Sequence, residues 1–167
     1  IRGMFGGFLS LFWTSSAWAK GVLTVGDGAQ LLGTGTITGL VVVEPQGVVS
    51  PGSPEGCFTT LDFAASGTLE LSIGEGTPCT GADQLQVNGA VDLTGATLNL
   101  SLLGDFSPSP LQEFVLIEND GVDAVTGSFE GLVEGSAFGV DASDFSISYM
   151  GGDGNDVVVR VEANECA

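Results

Sequence analysis

The segment Gly151-Gly152-Asp153-Gly154-Asn155-Asp156-Val157-Val158-Val159 matches, position for position, a nine-residue calcium-binding pattern. Its glycines let backbone carbonyls turn inward, and Asp supplies the hard oxygen that Ca²⁺ takes. A site of that kind is assembled between stacked copies, and the chain holds one. The segment is therefore expected to be a tight Gly/Asn turn joining a strand that holds Tyr149 to one that holds Val157, with no metal. Asp141 with Asp144 and Asp120 with Asp123 are the carboxylate pairs that could be nominated for glycoside hydrolysis. With only Lys20 and Arg160 as basic residues beyond the first few positions, they read instead as solvated turn acids. The chain has no His, which removes Ser-His-Asp and Cys-His catalysis. No glycine run opens a helix or carries a Lys, so no phosphate loop is expected. Catalytic residues, metal ligands and cofactors are all expected to be absent.

Three cysteines remain. Cys57 and Cys79 are expected to pair, each lying in a turn-like setting, Pro54-Glu55-Gly56-Cys57 and Thr77-Pro78-Cys79. Closing that loop would contribute roughly 3 kcal/mol by the chain-entropy estimate. Metal ligation is the weaker alternative, since no Cys pair has zinc-site spacing. Cys166 is left over.

The elements that must carry these residues are short alternating runs. Leu69, Leu71 and Ile73 alternate with Thr68, Glu70 and Ser72; Leu98, Leu100 and Leu102 alternate with Thr97, Asn99 and Ser101. Leu85/Val87, Val91/Leu93, Phe145/Ile147/Tyr149 and Val157/Val159/Val161 repeat the pattern. A period of two sends one set of side chains to a core and the other to solvent. Ser66-Gly67, Asn88-Gly89, Thr94-Gly95, Asp120-Gly121 and Gly26-Asp27-Gly28 break the runs with turn chemistry. No helical stripe follows the first segment, so the fold class is all-β. Single-glycine turns and brief runs between Gly33 and Gly52 suit a parallel β-helix (a β-solenoid), with strands stacked in register. The longer runs and Asx-Gly turns of the middle and end suit antiparallel hairpins. The change is placed near Pro108-Ser109-Pro110, so residues 20–107 are read as solenoid and 108–167 as a C-terminal hairpin-rich cap of the same domain.

Residues 1–19 carry Arg2, a short apolar run through Trp13, and Ala17 and Ala19 at the −3 and −1 places, the marks of a signal peptide cleaved after Ala19. Opening on Ile1, the sequence reads as a truncated frame. A secreted or cell-surface location follows, with no membrane insertion of the mature chain. The net charge of −18 repels nucleic acid and anionic membranes. Yet only 14% of residues are charged and 43% are hydrophobic, which is a composition that buries a core rather than one that stays disordered. Dense carboxylates invite diffuse stabilisation by Ca²⁺.

Val49-Ser50-Pro51-Gly52, Asp83-Gln84-Leu85-Gln86-Val87-Asn88-Gly89 and Val91-Asp92-Leu93-Thr94-Gly95-Ala96-Thr97-Leu98 resemble the passenger regions of autotransporter-type adhesins. Phe114-Val115-Leu116-Ile117, Gly127-Ser128-Phe129, Phe145-Ser146-Ile147-Ser148-Tyr149 and the Gly151–Val159 stretch resemble the block that closes such β-strand repeat regions. The Cys57/Cys79 pair is not part of that pattern. The resemblance implies a right-handed parallel β-helix (β-solenoid) with a C-terminal antiparallel hairpin-rich cap on a large bacterial surface protein. The expected function is a structural or adhesive module whose partners are cell-surface or matrix components, or copies of itself. A carbohydrate-active or carbohydrate-binding protein is the alternative, disfavoured because Tyr149 is the sole Tyr and both Trp lie in the first segment. A self-assembling filament subunit is a third reading.

Overall fold

The computed structural model describes residues 10–13, 21–26, 28–52, 55–120 and 122–163. Most of the predicted signal segment, Lys20 and Cys166 lie outside them, as do Asp27, Pro54 and Gly121 of the predicted turns. The described chain is all-β. No helix among the described residues is long and apolar enough to cross a membrane.

One sheet holds β1 (Ser10–Trp13), β3 (Gln30–Gly33), β5 (Val48–Pro51), β7 (Thr68–Ile73) and β10 (Thr97–Leu102), in that order and all parallel. The other begins with β2 (Val22–Val25), β4 (Gly35–Val43), β6 (Cys57–Ala65), β8 (Gln84–Val87) and β11 (Glu113–Asn119), also parallel. From β2 to β8 the chain alternates strictly between the sheets, and each return lays a strand beside the one laid a circuit earlier. The short β9 (Val91–Asp92) pairs with the second half of β6 before β10 crosses back. Beyond β11, the strands β12 (Ala137–Val140), β13 (Ser143–Gly151) and β14 (Asp156–Val161) extend the second sheet antiparallel, with β14 against β11.

This arrangement corrects the expectation of hairpins in the middle of the chain. Ser66-Gly67 turns a corner between the sheets, and Asn88-Gly89 interrupts the run along β6 between β8 and β9; neither folds a strand back on its predecessor. Alternation fixes which face is buried but is silent on the direction of the neighbouring strand, so period two fits both. Glycine serves the corner through close approach. A Cβ on Gly67 would collide with the carbonyl oxygens of Glu44 and Gly47, and one on Gly47 with that of Val25. These corners stack through backbone bonds: Val48 N–H to Ala29 O (3.0 Å), Thr68 N–H to Gly47 O (2.9 Å), Thr97 N–H to Gly67 O (2.9 Å) and Glu130 N–H to Ala96 O (2.7 Å).

The inner faces enclose one continuous apolar core. Leu69, Leu71 and Ile73 meet Val41, Val43, Phe63, Leu85 and Leu116, each at most 1% exposed. Burying one such side chain stabilises by about 1.5–3 kcal/mol. The predicted inward sets on β7, β8, β13 and β14 are buried. Leu98, Leu100 and Leu102 are only partly so, because β10 ends its sheet and no further strand covers them.

The end of the core beyond β10 and β11 is closed by the segment 126–136 and the antiparallel strands. Phe129, Phe145 and Tyr149 are buried there. The Tyr149 hydroxyl donates to Leu132 O (2.6 Å) and accepts from the Phe129 N–H (2.9 Å). Its backbone N–H donates to Glu134 Oε2 (2.7 Å). One aromatic side chain thus pins the closing segment to β13.

Candidate functional site

The second set of corners, joining the first sheet to the second, is wider and carries the polar chemistry. The connection between β7 and β8 spans residues 74–83, and Cys79 within it is disulfide-bonded to Cys57 at the start of β6, with Cα atoms 4.8 Å apart. Cys79 has φ 68°, a left-handed turn conformation that places its side chain over the neighbouring circuit. Such a bond persists in oxidising compartments.

Asp83 sits just past this loop and is 3% exposed. One carboxylate oxygen accepts the Gly56 N–H (3.0 Å) and the other the Ser72 N–H (2.8 Å), so it bridges the two circuits that the disulfide joins. Burial pushes its carboxyl up to about 6, with Glu55 adding repulsion and the Ser72 and Gly56 N–H groups opposing. Asp83 is thus unlike Asp120, Asp123, Asp141 and Asp144, which read from the sequence as solvated turn acids. Asp83 is structural. The one hint in the sequence is its position beside Ala82, directly before the alternating Gln84–Val87 run.

Below the disulfide loop, the outer face of the second sheet forms a shallow groove lined by Cys79, Gln84, Gln86, Val115, Glu118 and Asp156. Its side chains are occupied with one another. Thr59 Oγ1 donates to Gln86 Oε1 (3.0 Å), and Gln86 Nε2 donates to Gln84 Oε1 (3.3 Å) and Glu118 Oε2 (3.0 Å). Gln84 Nε2 reaches Val115 O (3.2 Å). The amides form a ladder across β6, β8 and β11, and the groove presents no nucleophile with a base beside it.

The Gly151–Val159 segment forms the β13–β14 hairpin, with residues 152–155 as its turn and Gly154 N–H bonded to Gly151 O (2.8 Å). Asp156 leaves that turn inward, its Oδ1 accepting the Asn119 N–H (2.8 Å). Burial raises its pKa against that bond, helped by Asp153 and Glu118. Asn119 and Asn155 both donate through Nδ2 to the Asp123 carbonyl, at 2.8 and 3.1 Å. Among the described residues no three Asp, Glu, His or Cys are grouped to hold a metal ion.

The nominated carboxylate pairs occupy exposed positions. Asp141 is in the β12–β13 turn with φ 52°, Asp144 is on the exposed face of β13, and Asp120 and Asp123 lie in the connection after β11. Arg160 pairs across β14 and β11 with Glu113 at 3.9 Å, both half-exposed or more. A contact so open to solvent contributes little. Neither pair meets Arg160 in a cleft. Tyr149, the sole Tyr, is 7% exposed and offers no stacking platform.

No protein-family model matches the chain, and no curated protein matches it significantly.

Proposed function

We propose that this chain is a secreted or cell-surface structural and adhesive module, a β-solenoid closed by a hairpin cap, that acts without catalysis. Residues 20–107 form the coils in this reading, and 108–167 form the closing part of the same domain. The observation that carries it is the strict alternation of β2 to β8 between two parallel sheets, with stacked corner bonds from Ala29 to Glu130. Such stacking makes a stiff body with a long lateral surface, suited to presenting contacts over distance. The polar side chains that reach its groove are spent on neighbouring strands, and that supports a surface-bound role over a reactive one. The disulfide supports export. The acidic outer face suits partners among cell-surface or matrix components, and not nucleic acid.

Beads coated with the purified chain test this. They are expected to bind cells or matrix-coated surfaces above beads carrying an unrelated protein of equal charge. Binding equal to that control, or hydrolysis of a polysaccharide by the chain, removes the reading.

A further inference from the structure

Thr60, Asp83, Gln84, Asn119, Asn155 and Asp156 are the buried polar side chains among the described residues. The last three gather where the end of β11 passes the β13–β14 hairpin. Thr60, Asp83 and Gln84 have their partners within the fold. Asn119 does not. Its Nδ2 donates to the Asp123 carbonyl (2.8 Å), yet its Oδ1 has no partner, in a residue 1% exposed. Turning the amide over offers no escape, because Oδ1 would then face the Asp123 carbonyl, acceptor against acceptor. Native folds rarely leave a buried acceptor alone.

Charge at the same place is unbalanced. Asp156 accepts the Asn119 N–H through Oδ1 (2.8 Å), and a Cβ on Gly152 would collide with its Oδ2. The carboxylate is thus folded under the hairpin turn, and Glu118 and Asp153 bring like charge near it. Among the described residues the sole basic side chain is Arg160, which lies beside Glu113 at the far ends of β14 and β11.

We infer that a calcium ion binds here, held by Asn119 Oδ1 and the Asp156 carboxylate, with water completing its shell of oxygens. Amide and carboxylate oxygens are the donors that Ca²⁺ takes. The ion meets both needs together, giving Oδ1 its partner and offsetting the carboxylates of Asp156, Glu118 and Asp153. A buried water would supply the partner without the charge. Asp156 is the one carboxylate buried at this place, so the site needs no cluster of three acids. Asp156 also lines the groove on the second sheet, which gives the ion its way in. The ion lies between the hairpin and the end of β11, not between stacked repeats of the nine-residue pattern, so a single copy suffices.

Calcium chloride titrated into the isotopically labelled full chain, first freed of metal by a chelator, tests this through chemical shifts. One saturable event is expected, with Kd about 10⁻⁴–10⁻³ M. The shifts should centre on Asn119, its Nδ2 group included, and on Asn155 and Asp156, while residues 68–73 stay unmoved. Affinity follows the charge of the ligands, so Asp156→Asn should raise Kd about tenfold or more. Asp141→Asn removes the same charge from an exposed turn and should leave Kd within about twofold. Shifts spread over the exposed carboxylates without saturation would mean screening alone and overturn the site. No shift at all overturns it too and leaves water as the partner of Oδ1. A response unmoved by Asp156→Asn does the same; if that variant does not fold, the shifts of the parent decide by themselves.

Discussion

Asp83 lies against Gly52, so closely that a Cβ on Gly52 would collide with the Asp83 carboxylate. Gly52 itself has φ 81°, a conformation that side chains other than glycine rarely adopt. The wide corner is thus set by a buried acid and a glycine that makes room for it, with Gly56 and Ser72 held on the acid's two oxygens.

Removing that acid should loosen the corner. Asp83→Asn keeps the shape but offers an amide N–H₂ to one of two backbone N–H donors, at a cost of about 1–3 kcal/mol. Gly52→Ala combines backbone strain with the collision and should cost at least as much. Urea denaturation midpoints check both.

Acidity should favour the fold. The Asp83 carboxyl, ordinarily near 3.8, stands at about 6 in the folded chain. The folded form therefore holds the proton more tightly than the unfolded form across that window, and stability rises as pH falls from about 6 toward 3.8. The raised pKa of Asp156 acts in the same direction. For Asp83 the whole window amounts to about 2–3 kcal/mol. Denaturation at pH 7.5 and pH 5 should show about half of it, roughly 1.4 kcal/mol. Asp83→Asn should remove much of the difference, and equal stability at the two pH values in the parent would contradict the assignment.

Reduction should be costly but local in origin. The Cys57–Cys79 bond closes a separation of 22 residues, and losing it should cost roughly 3 kcal/mol by the chain-entropy estimate. Thermal melts with and without reductant check this. Hydrogen exchange should quicken first in residues 74–83.

The closing segment depends on one hydroxyl. Tyr149→Phe leaves the Phe129 N–H and the Leu132 carbonyl without their partner, at about 1–3 kcal/mol. Faster amide exchange at Phe129 with little change at Leu69 would show the effect confined to that end.

Much of this architecture was legible in alternation. Leu69, Leu71 and Ile73 point inward as their spacing requires, and the glycine-rich nine-residue motif forms a hairpin turn. Strand direction was not legible at Ser66-Gly67, because the same dipeptide closes a hairpin or turns a corner; the choice lies in whether Glu44 and Gly47 of another circuit press against it. The roles of Asp83, Asn119 and Asp156 were hidden for a like reason. Partners of Asp83 and Asp156 lie 27 and 37 positions away, and a local reading of a single Asp or Asn at the edge of an alternating run indicates only a turn. The Cys57–Cys79 pairing was visible because both cysteines follow turn-like sequence, Pro54-Glu55-Gly56 and Thr77-Pro78, and no nearer partner exists.

Backbone contacts between Leu69 and its neighbours, read by nuclear Overhauser effects in the isotopically labelled chain, test the stacking most directly. Leu69 should sit beside Val49 on one side and Leu98 on the other, in parallel register. Close contacts between residues 57–65 and 68–73 in antiparallel order, joined through Ser66-Gly67, would contradict the account.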